Sequence, residues 1–194
     1  MSRQPVSLPV GELKTNAREL DLGSAKVWHL PNWGKLTHPQ RLAVMRQIAT
    51  MRGRDPRIAK LVISIFKSYR VAPRDYARQA AALLHWVQNP KNCYYANEAG
   101  ERLQDPIYTL KVGHADCDDM CLLLTTFFES VRLSWKLVLS GRHKDGQKAR
   151  YIEGEKVPSD VTWSHVYCMV GTPPFCPNRW YFCEPTVRGV PLGW

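Results

Sequence analysis

The hydrophobic period of this chain changes once, near residue 132, and that change limits the folds open to it. Before it, apolar residues recur at helical spacing behind well-formed helix starts; after it, they alternate every second residue. Helices first and an antiparallel meander second describe an α+β fold, with N-terminal helices packed on a small antiparallel sheet. At 194 residues the chain is long enough to bury a real core. The implied division is an extended arm over residues 1–36 and one domain over 37–194, helical in 37–131 and sheet-forming in 132–194.

Thr37, with Pro39 just behind it, opens a helix that runs to about Met51. Asp55-Pro56 is an acidic N-cap followed by proline at the first helical position, and it opens a second helix to about Tyr69. Pro73 opens a third, which lines up Tyr76, Ala80, Leu83, Leu84 and Val87 and ends near Asn89-Pro90. Residues 88–112 show no clear period and read as a long loop, of the kind that often carries function. Strands are expected over 135–140, 162–170 and 179–184, with turns at 141–146 and 171–178. In the arm, Val27, Trp28, Leu30 and Trp33 are large apolar groups in an irregular segment. They call for a surface to lie on, of this domain or of another chain.

A further helix begins at Asp116-Cys117-Asp118-Asp119. Asp116 is its N-cap, and Asp118 and Asp119 fall in the first turn, where backbone N–H groups lack partners and negative charge is favoured. Met120, Cys121, Leu124, Phe127, Phe128 and Val131 continue a buried stripe from Cys117, whose sulfur therefore sits where core meets helix end. The partial positive charge of a helix N-terminus favours a thiolate, and the three neighbouring carboxylates oppose it. A second cation is needed, most simply a histidinium. The alternative is a small buried cysteine with no chemistry.

Counting outward from the 171–178 loop, His165 lies six residues before it and Glu184 six after, so the two should face each other across adjacent strands. Their side chains would share a face, about 5 Å apart at Cβ. Trp163, His165, Tyr167 and Met169 are expected on that face, alternating with Thr162, Ser164, Val166 and Cys168. A cysteine nucleophile needs a base to take its proton, and the base needs a third group to hold its orientation. Cys117, His165 and Glu184 can fill those roles.

Lys and Arg number 27 against 17 Asp and Glu, a net charge of +10 that is spread along the chain. This favours partners of negative charge, but no zinc-finger or RNA-binding signature appears, so nucleic acid is not expected as a specific ligand. The six cysteines include no C-x-x-C pair. A metal site built from His114, Cys117 and Cys121 is open on helical spacing but lacks a fourth ligand, and a disulfide or metal among Cys168, Cys176 and Cys183 also stays open. No charged-then-apolar leader follows Met1 and no apolar run is long enough to span a bilayer. The expected location is a reducing cytoplasm with free thiols.

The run Ala115-Asp116-Cys117-Asp118-Asp119 before an apolar helix, then Ser164-His165-Val166-Tyr167, then Trp180-Tyr181-Phe182-Cys183-Glu184-Pro185-Thr186, resembles the transglutaminase-like superfamily. Its cysteine, histidine and aspartate motifs come in that order. Leu84-His85-Trp86-Val87 and Asp105-Pro106-Ile107-Tyr108-Thr109-Leu110 are similar to segments of its short bacterial and prophage members, so the resemblance spans roughly residues 75 to 190. It implies a papain-like core, Cys117 as nucleophile, His165 as general base and acid, and Glu184 as orienting acid. No metal or cofactor is implied. The activity it implies is that of a peptidase, amidase or acyl transferase acting on a peptide or protein. Its phage members imply an alternative, a virion component of tail, baseplate or neck that uses the fold for assembly, in the host cytoplasm or the virion, with residues 1–36 as the contact. Two positions depart from the family: Ala115 stands where glycine is usual, and Glu184 where aspartate is. The extra methylene of Glu184 changes its reach. An oxyanion hole would draw on the Cys117 backbone N–H, with Trp163, Asp116 or a residue of 88–112 as further positioning groups.

Overall fold

Local chemistry starts each helix. In the computed structural model, which describes residues 27–28, 35–97 and 103–194, Thr37 precedes α1 (His38–Arg52), and its backbone N–H donates to the Gln40 side chain at 2.8 Å. Asp55 caps α2 (Pro56–Ser68) by accepting from the Arg57 N–H at 2.9 Å. The proline at the first helical position loses nothing there, because that N–H has no partner in a helix. The third helix, α3 (Tyr76–Val87), starts later than Pro73: Arg74 lies at φ 65°, and Asp75 takes the cap, accepting from the Arg78 N–H at 3.3 Å.

Residues 88–112 are more ordered than their lack of period implied. They carry β2 (Tyr94–Tyr95), β3 (Leu103–Gln104) and α4 (Pro106–Val112). Asp105 caps α4 with the chemistry of Asp55, accepting from the Ile107 N–H at 2.9 Å, and Gly113 ends it in the left-handed conformation at φ 73°. The chain then pairs as β4 (His114–Ala115), parallel to β2, and enters α5 (Cys117–Ser130). Of the arm, β1 (Val27–Trp28) pairs antiparallel with β3; Leu30, Trp33 and the rest of residues 1–34 lie outside the described residues.

The fold is α+β and its centre is α5, from Asp119 to Phe128 buried on every side. A helix apolar all round belongs inside a core. Helices α1 to α4 and the sheet all pack on it. The sheet is antiparallel in the order β6-β5-β7-β8, from β5 (Ser134–His143), β6 (Lys148–Ile152), β7 (Val161–Thr172) and β8 (Arg179–Cys183). Strand β6 was not anticipated, and the turn expected over 141–146 is shorter because β5 continues to His143. Leu137, Leu139, Val166, Cys168 and Val170 face the helices, while Val138, Tyr167 and Met169 form a second cluster on the outer face with Ile152, Trp180 and Phe182.

Two features set the position of His165. In the β5/β7 ladder Ser140 pairs with His165 but Gly141 pairs with Trp163, so Ser164 is an extra residue, a β-bulge. Alternation is broken there. Trp163 turns to the core side, its ring centroid 6.3 Å from that of Tyr151, while His165 stays on the outer face against Tyr167 at 6.0 Å. The expected common face of Trp163 and His165 is therefore corrected. Gly141 makes the bulge possible, since a Cβ there would lie 2.1 Å from the Thr162 carbonyl oxygen. The β7/β8 register is also displaced from expectation. Cys168 pairs with Cys183, so the ladder, continued, sets Glu184 opposite Tyr167 and not His165. A displacement of two residues, unlike one, leaves Glu184 on the same face. Among the described residues no helix is long and apolar enough to cross a membrane.

Candidate active site

Cys117 occupies the first position of α5 and is partly exposed. Asp116 caps the helix: its Oδ1 accepts from the Asp119 N–H at 3.4 Å, and Asp118 Oδ1 accepts from the same N–H at 3.0 Å. Asp119 is buried and accepts from the Gln104 N–H at 2.6 Å, which ties the start of α5 to β3. Burial, with Asp116 and Asp119 close by, pushes the Asp118 carboxyl well above its ordinary value. Ala115 is fully buried in β4 and pairs with Tyr95, an extended setting that does not call for glycine. This pairing brings Tyr95 to the site. Its hydroxyl donates to Asn97 Oδ1 at 2.9 Å, and burial, then the proximity of Cys117, Asp116 and Asp118, raises its pKa.

His165 Nε2 and Glu184 Oε2 are 2.7 Å apart. The other carboxylate oxygen, Oε1, accepts from the Thr186 N–H at 3.0 Å and the Thr186 hydroxyl at 2.6 Å. Glu184 is 5 % exposed, so each of its oxygens is engaged inside the protein. Its backbone is held as well: the buried Gln88 amide, just past the end of α3, donates to the Glu184 carbonyl at 2.8 Å and to the Val190 carbonyl at 2.9 Å.

The electrostatics follow from these contacts. Burial works against a charged His165, but hydrogen bonds to Cys117 and Glu184, and the negative charge of both, more than offset it and raise its pKa to about 9. Burial likewise works against a charged Glu184, and the bonds from His165 and Thr186 overcome it, so the carboxyl is held below its ordinary value. With Nε2 taken by Glu184, Nδ1 is the ring nitrogen left for the Cys117 thiol. A thiol, an imidazole and a carboxylate set in this order can pass one proton between sulfur and ring while the charge stays compensated. His165 and Glu184 also border a cavity of about 610 Å³.

Trp163 contacts the rings of His38, at 6.4 Å, and Tyr151. His114, Cys117 and Cys121 do not gather as a ligand set: one turn into α5, Cys121 is fully buried in the core, where its partner is the Cys168 thiol. Among the described residues the ligand-type side chains that do converge are Asp116, Asp118 and Asp119, within 4.8 Å of one another around the helix start. All six cysteines are free thiols, Cys168, Cys176 and Cys183 included. Sequence reasoning missed Thr186 and Gln88. The first has a local signal, a hydroxyl residue two positions after an acid. The second has none, because it meets Glu184 across 96 residues of chain.

No family model and no curated protein matches this chain. Among solved structures it is similar to a candidate cysteine protease from Cytophaga hutchinsonii, with a TM-score of 0.42 and 12 % sequence identity over 71 % of this chain. The chain spans 42 % of the length of that protein.

Proposed function

We propose that this chain is a cysteine-nucleophile amidase, peptidase or acyl transferase of transglutaminase-like type. The observation that carries the reading is His165 Nε2 held at 2.7 Å from a buried and fully engaged Glu184, with Cys117, at the start of a helix, near enough to the ring to raise its pKa. The Cys117 Sγ attacks the substrate carbonyl carbon, and its proton passes to His165 Nδ1. The first four N–H groups of a helix lack intrahelical partners, and that of Cys117 is a donor for the oxyanion that forms. The C–N bond then breaks as His165 returns the proton to the leaving amine, and an acyl thioester remains on Cys117. Attack by water, with His165 again taking the proton, gives hydrolysis; attack by a second amine gives acyl transfer. Glu184 keeps Nε2 as the hydrogen-bonded side of the ring and compensates the imidazolium, a role in which glutamate serves as aspartate does.

The test is the rate of Cys117 alkylation by iodoacetamide against pH, read by peptide mass mapping, in the protein and in His165→Ala. Alkylation should be fast near pH 6, where an ordinary thiol with a pKa near 8.5 is almost wholly protonated. The profile should change again near pH 9, where His165 loses its proton. His165→Ala should show a single rise at the ordinary thiol value. Slow alkylation at pH 6 in both proteins would overturn the reading.

A further inference from the structure

The outer face of the sheet continues past His165 as a row of cations. Arg150 pairs with Ser140 and Ser140 pairs with His165, so these three side chains lie on one rung across β6, β5 and β7. On the next rung Arg142 pairs with Lys148. Residues directly opposite in an antiparallel ladder, and those two apart along a strand, project from the same face. Arg142, Lys148 and Arg150 therefore stand together on the His165 side, and all three, with His165, Tyr167 and Trp194, line the 610 Å³ cavity.

This arrangement is unfavourable as it stands. Like charges directly opposite one another destabilise a ladder, and Arg142 and Lys148 are such a pair, with Arg150 diagonal to Arg142. Among the described residues none of the three is in an ion pair. The two acids closest along the chain, Asp145 and Glu153, are engaged elsewhere: Asp145 accepts from the Gln147 N–H in the turn, and Glu153 is paired with Arg46. Glu184, the carboxylate bordering the cavity, is engaged by His165 and Thr186. Neutral groups hold two of the cations: the Arg150 guanidinium lies 4.8 Å from the Phe182 ring, against which Trp194 packs, and Arg142 donates to the Gly146 carbonyl at 3.0 Å. The cavity volume lies within the range of ligand pockets.

We propose that this face binds the acyl donor and that the donor is an acidic polypeptide, with Asp or Glu side chains placed against Arg142, Lys148 and Arg150. The inference rests on Cys117 being the nucleophile, which makes the occupant a chain presenting an amide to that sulfur. Two strand spacings separate Arg150 from His165, roughly 10 Å. An extended peptide covers that in about three residues, so the acidic positions lie about that far from the attacked carbonyl.

Two bromoacetyl peptides test this on the full chain, one ending in Gly-Glu-Glu and the other in Gly-Gln-Gln, each alkylating Cys117 by forming the Sγ–C bond and releasing bromide. At low salt the acidic probe should react about tenfold faster, and the advantage should fall as salt is added. It should vanish in Arg142→Gln/Lys148→Gln/Arg150→Gln. It should persist in Arg54→Gln/Lys60→Gln/Lys67→Gln, which removes the same charge from exposed positions on and beside α2. Equal rates for the two probes, with iodoacetamide still fast, would overturn the proposal and leave the nucleophile standing. Slow iodoacetamide would overturn the nucleophile. The surface is then judged in Cys117→Ser by fluorescence anisotropy with a labelled oligoglutamate, the matching oligoglutamine and an oligothymidylate of equal charge. Preference for oligoglutamate, lost in the cation variant, supports an acidic polypeptide as the occupant of this face, though not as an acyl donor; no preference over oligoglutamine, or tighter binding of oligothymidylate, overturns that as well.

Discussion

Glu184 divides its work between its two oxygens. Oε1 is fixed by the Thr186 backbone and hydroxyl, and this leaves Oε2 aimed at His165. The longer side chain is thus braced by a local turn, which fixes its reach toward the ring. The linked titrations give this pair a pH signature. Glu184, its pKa lowered, contributes stability that is present above its unfolded value near 4.5 and lost as pH falls. His165, its pKa raised, contributes stability that is complete below 6.5 and lost as pH rises through about 9. The pair stabilises most between those unfolded values. Glu184→Gln should therefore cost about 1–2 kcal/mol near pH 6 and much less at pH 10, by urea unfolding. In the same variant the NMR titration of His165 should move down from about 9. A histidine titration that does not move would show that Glu184 does not hold the ring.

Elements were legible wherever a cap and a long period agreed. Asp55-Pro56 before α2 and Asp116 before α5 are of that kind, and the structure starts helices there. Asp105-Pro106 carries the same signal, yet α4 has only 7 residues, too few for a 3.6-residue period to show. Strand β6 escaped because it has only 5 residues, of which Ala149 and Tyr151 are buried while Lys148 and Arg150 are exposed and basic. Register was the least legible property, since it depends on loop boundaries that composition does not define. The β5/β7 ladder makes a further prediction at this scale. Gly141→Ala would drive a methyl into the Thr162 and Trp163 backbone. It should destabilise the protein by about 1–3 kcal/mol in thermal unfolding and shift the His165 titration, because the strand must move where the histidine is held.

Across the whole molecule, the proposed site is assembled from parts far apart in the chain: the start of the central helix, the middle of a central strand, and the segment after the last strand. Gln88 joins the third of these to the helical layer through one amide that serves two carbonyls. Gln88→Leu leaves both without that donor and should cost about 1–3 kcal/mol in urea unfolding. It should also slow Cys117 alkylation near pH 6, although residue 88 touches neither Cys117 nor His165 in any hydrogen bond described. Normal alkylation with lowered stability would confine Gln88 to a structural part. The bulge at Ser164 has a consequence of another kind. Whether a β7 side chain looks inward or outward is a parity, and Ser164 inverts it for every residue on its N-terminal side. The inversion comes from the count of residues at the bulge, so removing one of them would undo it. The outward aim of His165 beside an inward Trp163 is thus stored in how many residues the strand contains.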